Sequence, residues 1–296
     1  MSLGRRTFLG SAVGSLVAAS LVRRAQASKP GPRIVALDIT ATHIVVSAGG
    51  NLIAAAAAAG FRAGVSDLIL DEGIIDIGHP AEPNLELLQS LKPDRLVSVW
   101  PVPIDSPLRR IAPILSLEAF GGDDDHYARI AKCVADAGRE FGTQDAAARS
   151  IAAANAAIEA LCQDLIPLPA AKTYLVNLNQ DGVNLLGYGR HSLMDSVMRR
   201  LGVLNAWTKE DDEWGWYRTA PQALLTQPNA SIVHLEQYWQ GTGLAMRRLT
   251  ESPIWNALPQ VHGKRFHTIS PIDIFGGLDS AVRFASLIAD MLVKTG

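Results

Sequence analysis

LKPDRLVSVWPVP, residues 91–103, joins the end of a predicted helix to a short apolar strand and then to Trp100 in a proline-rich loop. The apolar run shows no alternation, which is typical of a strand buried on both faces of a parallel sheet. A second segment, TQPNASIVHLEQYWQG at residues 226–241, repeats this order of turn, buried strand and aromatic loop. Because ligands of open α/β sheets bind at loops beyond strand ends, we predict two α/β lobes whose aromatic loops face each other across a ligand.

The composition of the chain is that of a globular protein with a large core. Of its 296 residues, 48% are hydrophobic and 19% are charged, which is enough apolar material for two lobes or one large domain. A formal net charge of -2 argues against a nucleic-acid partner, since phosphate-binding surfaces carry an excess of Lys and Arg. Cys133 and Cys162 lie in alanine-rich helical sequence and are predicted to be free thiols, too few for an iron–sulfur cluster.

The N-terminal segment 1–27 has the pattern of an export signal. Arg5 and Arg6 precede a mildly apolar stretch that is too short to span a bilayer, and Ala25 to Ala27 form a small-residue cleavage site. The paired arginines resemble a twin-arginine signal. We therefore expect a mature protein that begins near Ser28 and resides in the periplasm.

Beyond this signal, the predicted elements divide the chain into three parts. Alternating strands and helices at 28–140 predict an N-terminal α/β lobe, and a second alternating region at 169–296 predicts a C-terminal lobe. Between them, residues 141–168 predict an interlobe helix of roughly 20 residues, about 30 Å long. The segments SPLRRIAP and SPIWNALP occupy matching places in the two halves, which indicates a duplicated architecture.

Sequence motifs of enzymes and metal sites are not evident. GYGRHS at 187–192 departs from the dinucleotide fingerprint because Ser192 occupies the third glycine position, so we interpret it as a turn followed by a helix cap. No G-x-S-x-G elbow, phosphate loop or H-E-x-x-H motif occurs. The seven histidines show no paired ligand spacing, so we predict no catalytic residue and no metal site.

Aromatic and cationic side chains concentrate in segments predicted to be loops. DDEWGWYRTA, residues 211–220, interleaves three rings with charged residues, a composition that favours recognition of a large, partly apolar ligand. Arginines nearby could donate hydrogen bonds to oxygen-rich groups. The candidate ligand-binding residues are Trp100, Trp214, Trp216, Tyr217, Arg218, Arg190, Tyr238, Trp239 and Phe275.

Three longer segments carry a family resemblance: IDIGHPAEPNLELLQSLKPDRLVSV, LGVLNAWTKEDDEWGW and SPIWNALPQVHGKRFHTIS. Together they resemble the periplasmic iron-siderophore binding proteins of the FhuD type, which deliver ferric hydroxamates to an inner-membrane ABC importer. The resemblance runs from about Arg33 to the C-terminus. It implies a class III binding protein, with two α/β lobes joined by one long rigid helix, a shallow cleft between them and little closure.

The resemblance also assigns individual residues. Trp214 matches the cleft tryptophan of the family, and Phe275 lies where the family has cleft aromatics. At the positions of the Arg and Tyr that the family uses for hydroxamates, this sequence has Pro80 and, for the Tyr, Trp100 to Pro101, which implies altered specificity or compensation by other side chains. Those side chains are His79, Arg190 and Arg218.

Partners follow from the same resemblance. The iron would be held only within the siderophore, so no cofactor and no protein-bound metal are expected. Glu86 on the first lobe and Glu213 on the second are the expected contacts with the permease of the importer, and the protein is expected to be monomeric.

Two other readings remain open at this point. Another bulky chelate could be the cargo: cobalamin, heme, or a ferric catecholate or carboxylate siderophore. Heme would want an axial ligand, which makes His79, His191 and Tyr238 the residues to test. An exported α/β enzyme is the alternative from a different class.

Overall fold

The computed structural model describes residues 31–62, 68–122, 125–179, 181, 183–236 and 242–295. The predicted export signal at 1–27 and the predicted ring pair Tyr238 and Trp239 lie outside the described residues. Within the part of the chain that is described, no helix is both long enough and apolar enough to cross a membrane.

The elements alternate between strand and helix along most of the chain. In the first half they are β1 (Arg33–Ala36), α1 (Ile39–Ser47), β2 (Asn51–Ala55), α2 (Ala58–Arg62), β3 (Ile75–Asp76), β4 (Gly78–His79), β5 (Glu82–Pro83), α3 (Leu85–Leu91), β6 (Arg95–Ser98), β7 (Ile114–Ser116), α4 (His126–Phe141) and α5 (Gln144–Leu165). In the second half they are β8 (Lys172–Leu178), β9 (Leu185–Tyr188), α6 (Leu193–Arg200), β10 (Leu204–Asn205), β11 (Trp216–Thr219), β12 (Ser231–Leu235), α7 (Thr242–Thr250), α8 (Pro253–Asn256), α9 (Pro259–His262), β13 (Phe266–Ile269) and α10 (Leu278–Thr295).

The first sheet is parallel throughout, in the strand order β3-β2-β1-β6-β7. Its strand β6 is the apolar run of the opening segment, and it is buried on both faces as predicted. Val97 packs into one hydrophobic cluster and Leu96, on the other face of the strand, into another. The loops after β6 and β7 leave the same edge of this sheet.

The second sheet is mixed. Its strands follow the order β11-β9-β8-β12-β13, in which β8, β12 and β13 run parallel, while β9 is antiparallel to both of its neighbours. The duplicated segments occupy equivalent places in the two sheets. Each joins a pair of adjacent parallel strands and begins with a serine cap followed by proline, at Ser106 and Ser252.

Helix α5 has 22 residues, which corresponds to about 33 Å, and lies within the range predicted for the interlobe helix. It packs against α10 and α4, and one apolar cluster runs from the first sheet to the second through these helices. Residues such as Ile34 and Val233, from different sheets, belong to this same cluster. The two lobes therefore share a core, which limits how far one can rotate against the other.

His234 on β12 is fully buried on the face of the second sheet that packs against Trp255 and Phe266. Neither ring nitrogen has a hydrogen-bond partner among the described residues. Burial disfavours the charged imidazolium and lowers the pKa of His234 from 6.5 to about 4. The folded protein therefore keeps this histidine neutral at mildly acidic pH.

This burial predicts a loss of stability in acid. Between pH 6.5 and pH 4 the unfolded chain binds a proton at His234 that the folded chain does not, so the free energy of unfolding falls as the pH falls. We expect this one residue to remove about 2 to 3 kcal/mol from the free energy of unfolding between pH 7.5 and pH 4.5. Urea unfolding of the wild type and His234→Leu at several pH values measures the difference. The exposed His262→Gln variant retains His234 and should keep the wild-type profile; an equally steep profile for His234→Leu would contradict the assignment.

Candidate functional site

A cluster of aromatic rings joins the two lobes. Trp100, after β6, stacks on Phe120, after β7, with ring centroids 5.0 Å apart and nearly parallel planes. Trp214 of the second lobe contacts Trp100 at 4.7 Å and Phe120 at 5.4 Å. Phe275, from the loop before α10, lies 6.4 Å from Trp100 and 5.4 Å from Trp216. These five rings, called here the aromatic cluster, are each partly exposed and form a continuous surface from one lobe to the other.

A buried carboxylate fixes Trp100. Asp38 caps α1 by accepting from the amide of Ala41 at 2.7 Å, and its Oδ2 also accepts from Ser98 Oγ and from the amide of Val99. Ser98 Oγ in turn accepts from the amide of Trp100 at 3.0 Å. Burial raises the pKa of Asp38, and the hydrogen bonds from Ala41, Val99 and Ser98 partly offset this rise. The end of strand β6 is thereby tied to the start of α1.

A second carboxylate fixes the loop that carries Trp214. Asp212 Oδ1 accepts from the amides of Trp214 at 3.0 Å and Trp216 at 2.8 Å, while the backbone of Asp212 bonds to Trp216 and Gly215. Gly215 adopts φ +77° and lies directly against the backbone of Ser192, where any Cβ would collide. The position admits only glycine at this spacing.

The same loop is anchored to the start of α6 by its other acid. The side chain of Asp211 is 2% exposed and accepts from the amide of His191 at 2.9 Å. Its second oxygen lies 2.7 Å from Nδ1 of His191. Across the lobes, Nδ1 of His126 donates to the carbonyl of His191 at 3.0 Å. The loop that carries Trp214 is therefore bonded to the start of α6, and the start of α6 is bonded to His126 of the first lobe.

Phe275 is fixed mainly from the first lobe. Thr40 Oγ1 on α1 donates to the carbonyl of Phe275 at 2.6 Å. Asp273 Oδ1 accepts from the amide of Phe275 at 3.0 Å, and its other oxygen lies 3.3 Å from Nε2 of the buried His43. The loop thus belongs to the second half of the sequence but is bonded to helix α1 of the first.

Beneath the rings is a small recess of about 10 Å³, which is far below the roughly 300–1,000 Å³ usual for ligand sites. Its lining is mainly apolar and carries no carboxylate or guanidinium group. It consists of Phe120, His126, Ser192, Leu193, Met194, Trp214, Trp216, Ile274 and Phe275. Rings of the two lobes are in direct contact, so a large ligand must either separate them or rest on their outer surface.

The chemistry that the described residues support is binding. No group of three or more His, Cys, Asp or Glu side chains placed to hold a metal ion occurs among them. Ser192, the one hydroxyl of the recess, is engaged as the cap of α6 and donates to the carbonyl of Gly189 at 2.7 Å. Stacking and apolar contact are what the aromatic cluster can offer to a ligand.

The structure brings together four of the residues predicted from sequence: Trp100, Trp214, Trp216 and Phe275. Tyr217 is elsewhere. It is 6% exposed and its ring stacks on Trp207 at 3.7 Å, over Gly187, where a Cβ would collide with it. Tyr217 is therefore a core residue of the second sheet, because alternate residues of strand β11 point to opposite faces.

The polar residues predicted to contact the ligand lie outside the aromatic cluster. Arg190 and Arg218 are exposed, and Arg218 shares with Trp216 the face of β11 that points to the aromatic cluster. His79 is exposed, and its Nδ1 accepts from the amide of Ala81. It follows β3, which is three strand positions from β6, roughly 14 Å across the sheet, so His79 is remote from Trp100.

The two expected permease contacts are both exposed. Glu86 lies in the first turn of α3, and Glu213 adjoins Trp214 in its loop. Their role stays a prediction.

Two residues of the site were missed in the sequence. Phe120 belongs to the aromatic cluster, and His126 packs edge-on against Phe120 at 5.1 Å. A signal for Phe120 was present, since it follows the parallel strand β7 as Trp100 follows β6. His126 carries no comparable signal, because it lies in the first turn of a helix.

Comparison with known proteins identifies the class. The chain belongs to the periplasmic binding protein family, whose profile matches residues 34–271. Two lobes, the parallel first sheet and the long helix between them confirm the predicted class III fold.

Individual relatives are more specific. The chain is 26% identical over 285 residues to the iron(3+)-hydroxamate-binding protein FhuD of Escherichia coli K12, covering 96% of this chain and 94% of that one. A crystal structure of the siderophore-binding protein FhuD from Vibrio cholerae with Fe³⁺-Desferal has a TM-score of 0.77 at 21% identity, covering 88% and 98% of the two chains. Staphylococcus aureus SirA complexed with staphyloferrin B has a TM-score of 0.65 at 18% identity, covering 90% and 95%.

Proposed function

We propose that this chain is the substrate-binding protein of an ABC importer for ferric siderophores, with hydroxamates as the favoured cargo. The aromatic cluster across the two lobes is the observation that carries the proposal. It supplies a stacking surface between the lobes, where periplasmic binding proteins hold their ligands. Similarity to the FhuD of Escherichia coli, an iron(3+)-hydroxamate-binding protein, supports the same cargo.

The lining of the site favours hydroxamates on grounds of charge. Hydroxamate groups balance the charge of Fe(III), whereas catecholates leave a strongly anionic complex. A site with apolar walls and no guanidinium in its recess would have to bury that anionic charge without a partner. Arg218 and Arg190 at the exposed margin can still donate to the outer oxygens of a neutral chelate.

The site fits other chelates less well than it fits ferric hydroxamates. For heme, the proposed axial ligands do not converge: His79 lies remote from Trp100, and His191 is paired with Asp211. Tyr238 lies outside the described residues. Binding measurements separate cobalamin and carboxylate siderophores from hydroxamates.

The cellular setting completes the proposal. A twin-arginine signal at 1–27 would send the protein to the periplasm, where it would act as a monomer. Glu86 and Glu213, both exposed, would contact the permease in the inner membrane. The iron would remain within its siderophore throughout.

Calorimetric titration of the purified mature protein tests the cargo. We expect saturable binding of ferrichrome or ferrioxamine B, and no saturation with a ferric catecholate, cobalamin or hemin. The iron-free siderophores serve as controls for the organic scaffold. Binding of hemin or cobalamin alone would keep the carrier class and overturn the hydroxamate assignment; turnover of a ligand without retention would overturn the carrier.

A further inference from the structure

Three rings of the aromatic cluster share one backbone arrangement. In each case the amide of the aromatic residue donates to a side-chain oxygen two residues earlier, and each donor–acceptor distance is 3.0 Å. Such Asx and Ser turns fix the direction in which the chain leaves a strand or loop. The pairs are Ser98 with Trp100, Asp212 with Trp214, and Asp273 with Phe275.

Each of these oxygens is itself restrained by the fold. Ser98 Oγ donates to Asp38 Oδ2 at 3.0 Å, and the other carboxylate oxygen of Asp38, Oδ1, caps α1. Asp212 holds two amides with one oxygen and closes its loop through its own backbone. Asp273 lies against the buried His43 of α1. The three turns come from separate segments of the chain, yet their rings converge on one surface.

We propose that three polar residues act as positioning residues for the ligand site: Ser98, Asp212 and Asp273. In this proposal they act through the backbone and not by contact with the ligand. They fix the backbone of the rings before the ligand arrives, so that binding does not have to order three separate loops. A site that is ordered in advance loses less conformational entropy on binding and retains its ligand longer. The inference rests on the proposed function for the identity of the ligand.

A purely structural role makes a different prediction. If these turns only ended strands, their loss would lower the free energy of unfolding without altering the surviving site. A positioning role requires that affinity and ring order change together in protein that is still folded. The two roles are therefore separable by measuring ring order in the unliganded protein.

Asp212 offers the sharpest test, because its acceptor can be removed or kept. Asp212→Ala removes the oxygen that holds both amides, whereas Asp212→Asn keeps a carbonyl oxygen in the same place. Glu210→Ala is the matched control, since Glu210 is an exposed acid of the same segment with the same charge. We expect the affinity for ferrioxamine B to fall about tenfold in Asp212→Ala, and to stay within about threefold in Asp212→Asn and twofold in Glu210→Ala.

Ring order is read without any ligand. Labelling with 5-fluorotryptophan gives one ¹⁹F resonance for each of the six tryptophans, and Trp214→Phe assigns the one of interest. We expect the Trp214 resonance to shift and narrow in Asp212→Ala and to keep its wild-type position in Glu210→Ala. In Ser98→Ala, in the other lobe, the resonance of Trp100 should likewise shift and narrow.

The outcomes separate this inference from the proposed function. If the wild type binds no ferric hydroxamate, the proposed function fails, while the fluorine spectra still decide whether Asp212 orders Trp214. Unchanged spectra and affinity in folded Asp212→Ala and Ser98→Ala would overturn the positioning role. A loss of affinity in Asp212→Asn or Glu210→Ala equal to that in Asp212→Ala would assign the effect to charge instead.

Discussion

Trp214→Ala should weaken the binding of a ferric hydroxamate about a hundredfold, equivalent to about 2.8 kcal/mol. Trp214 contacts both Trp100 and Phe120 of the first lobe, at shorter centroid distances than Phe275 does. Its loss removes the ring that packs most closely on Trp100 across the lobes and leaves four rings in the aromatic cluster. Large aromatic residues at the centre of an interface usually contribute most to affinity.

The measurement is isothermal titration calorimetry, because removing Trp214 also removes a fluorescent reporter. Trp214→Phe keeps a ring in place and should lose no more than about tenfold. Trp207→Phe is the control, since Trp207 stacks on Tyr217 away from the aromatic cluster and should leave the affinity unchanged. Affinity within a factor of three of wild type in Trp214→Ala would show that the ligand does not rest on this ring.

The rings that the first lobe contributes to the aromatic cluster, Trp100 and Phe120, are predictable from strand patterns. The run before Trp100 is apolar on both faces, and that alone placed the residue at the end of a parallel strand. The same reasoning, applied to the strand ILS at 114–116, would have found Phe120. Parallel strands end at a common edge, so their loops converge without any information about the rest of the fold.

The positions of Trp214 and Trp216, from the second lobe, were only partly predictable. Trp214 lies in the turn before β11 and Trp216 is the first residue of that strand, whose pairing with the antiparallel strand β9 is not a property of either segment alone. Interpreting 211–220 as one loop assigned all its rings to the ligand. The structure instead alternates them, with Trp216 toward the aromatic cluster and Tyr217 in the core.

The side chains that form the turns before the rings can be recognised in the sequence, but the sequence does not show that these turns position a ligand site. Asp212 and Asp273 each precede a ring by two residues, a spacing that many surface loops share. Only the convergence of their rings distinguishes them, and that convergence depends on contacts between distant segments such as Thr40 and Phe275.

Gly215→Ala should destabilise the folded protein by about 4 kcal/mol. The residue adopts φ +77°, a conformation that costs any L side chain, and the new Cβ would lie 2.1 Å from the amide nitrogen of Ser192. Backbone atoms at the start of α6 cannot turn aside as a flexible side chain could. Either the loop that carries Trp214 must detach from α6 or the helix must shift. The free energy of unfolding in urea measures the cost.

Gly202→Ala separates the two sources of that cost. Gly202 has nearly the same φ, +73°, but no atom lies within 4 Å of where its Cβ would be. It should therefore lose only about 1 kcal/mol, which is the conformational part alone. The remaining difference, about 3 kcal/mol, is the steric contact with α6. An equal loss of unfolding free energy in the two variants would mean that the loop can move away from α6 at Gly215 at little cost. Trp214 would then be held less firmly than its hydrogen bond to Asp212 indicates, and ligand affinity should survive in Gly215→Ala.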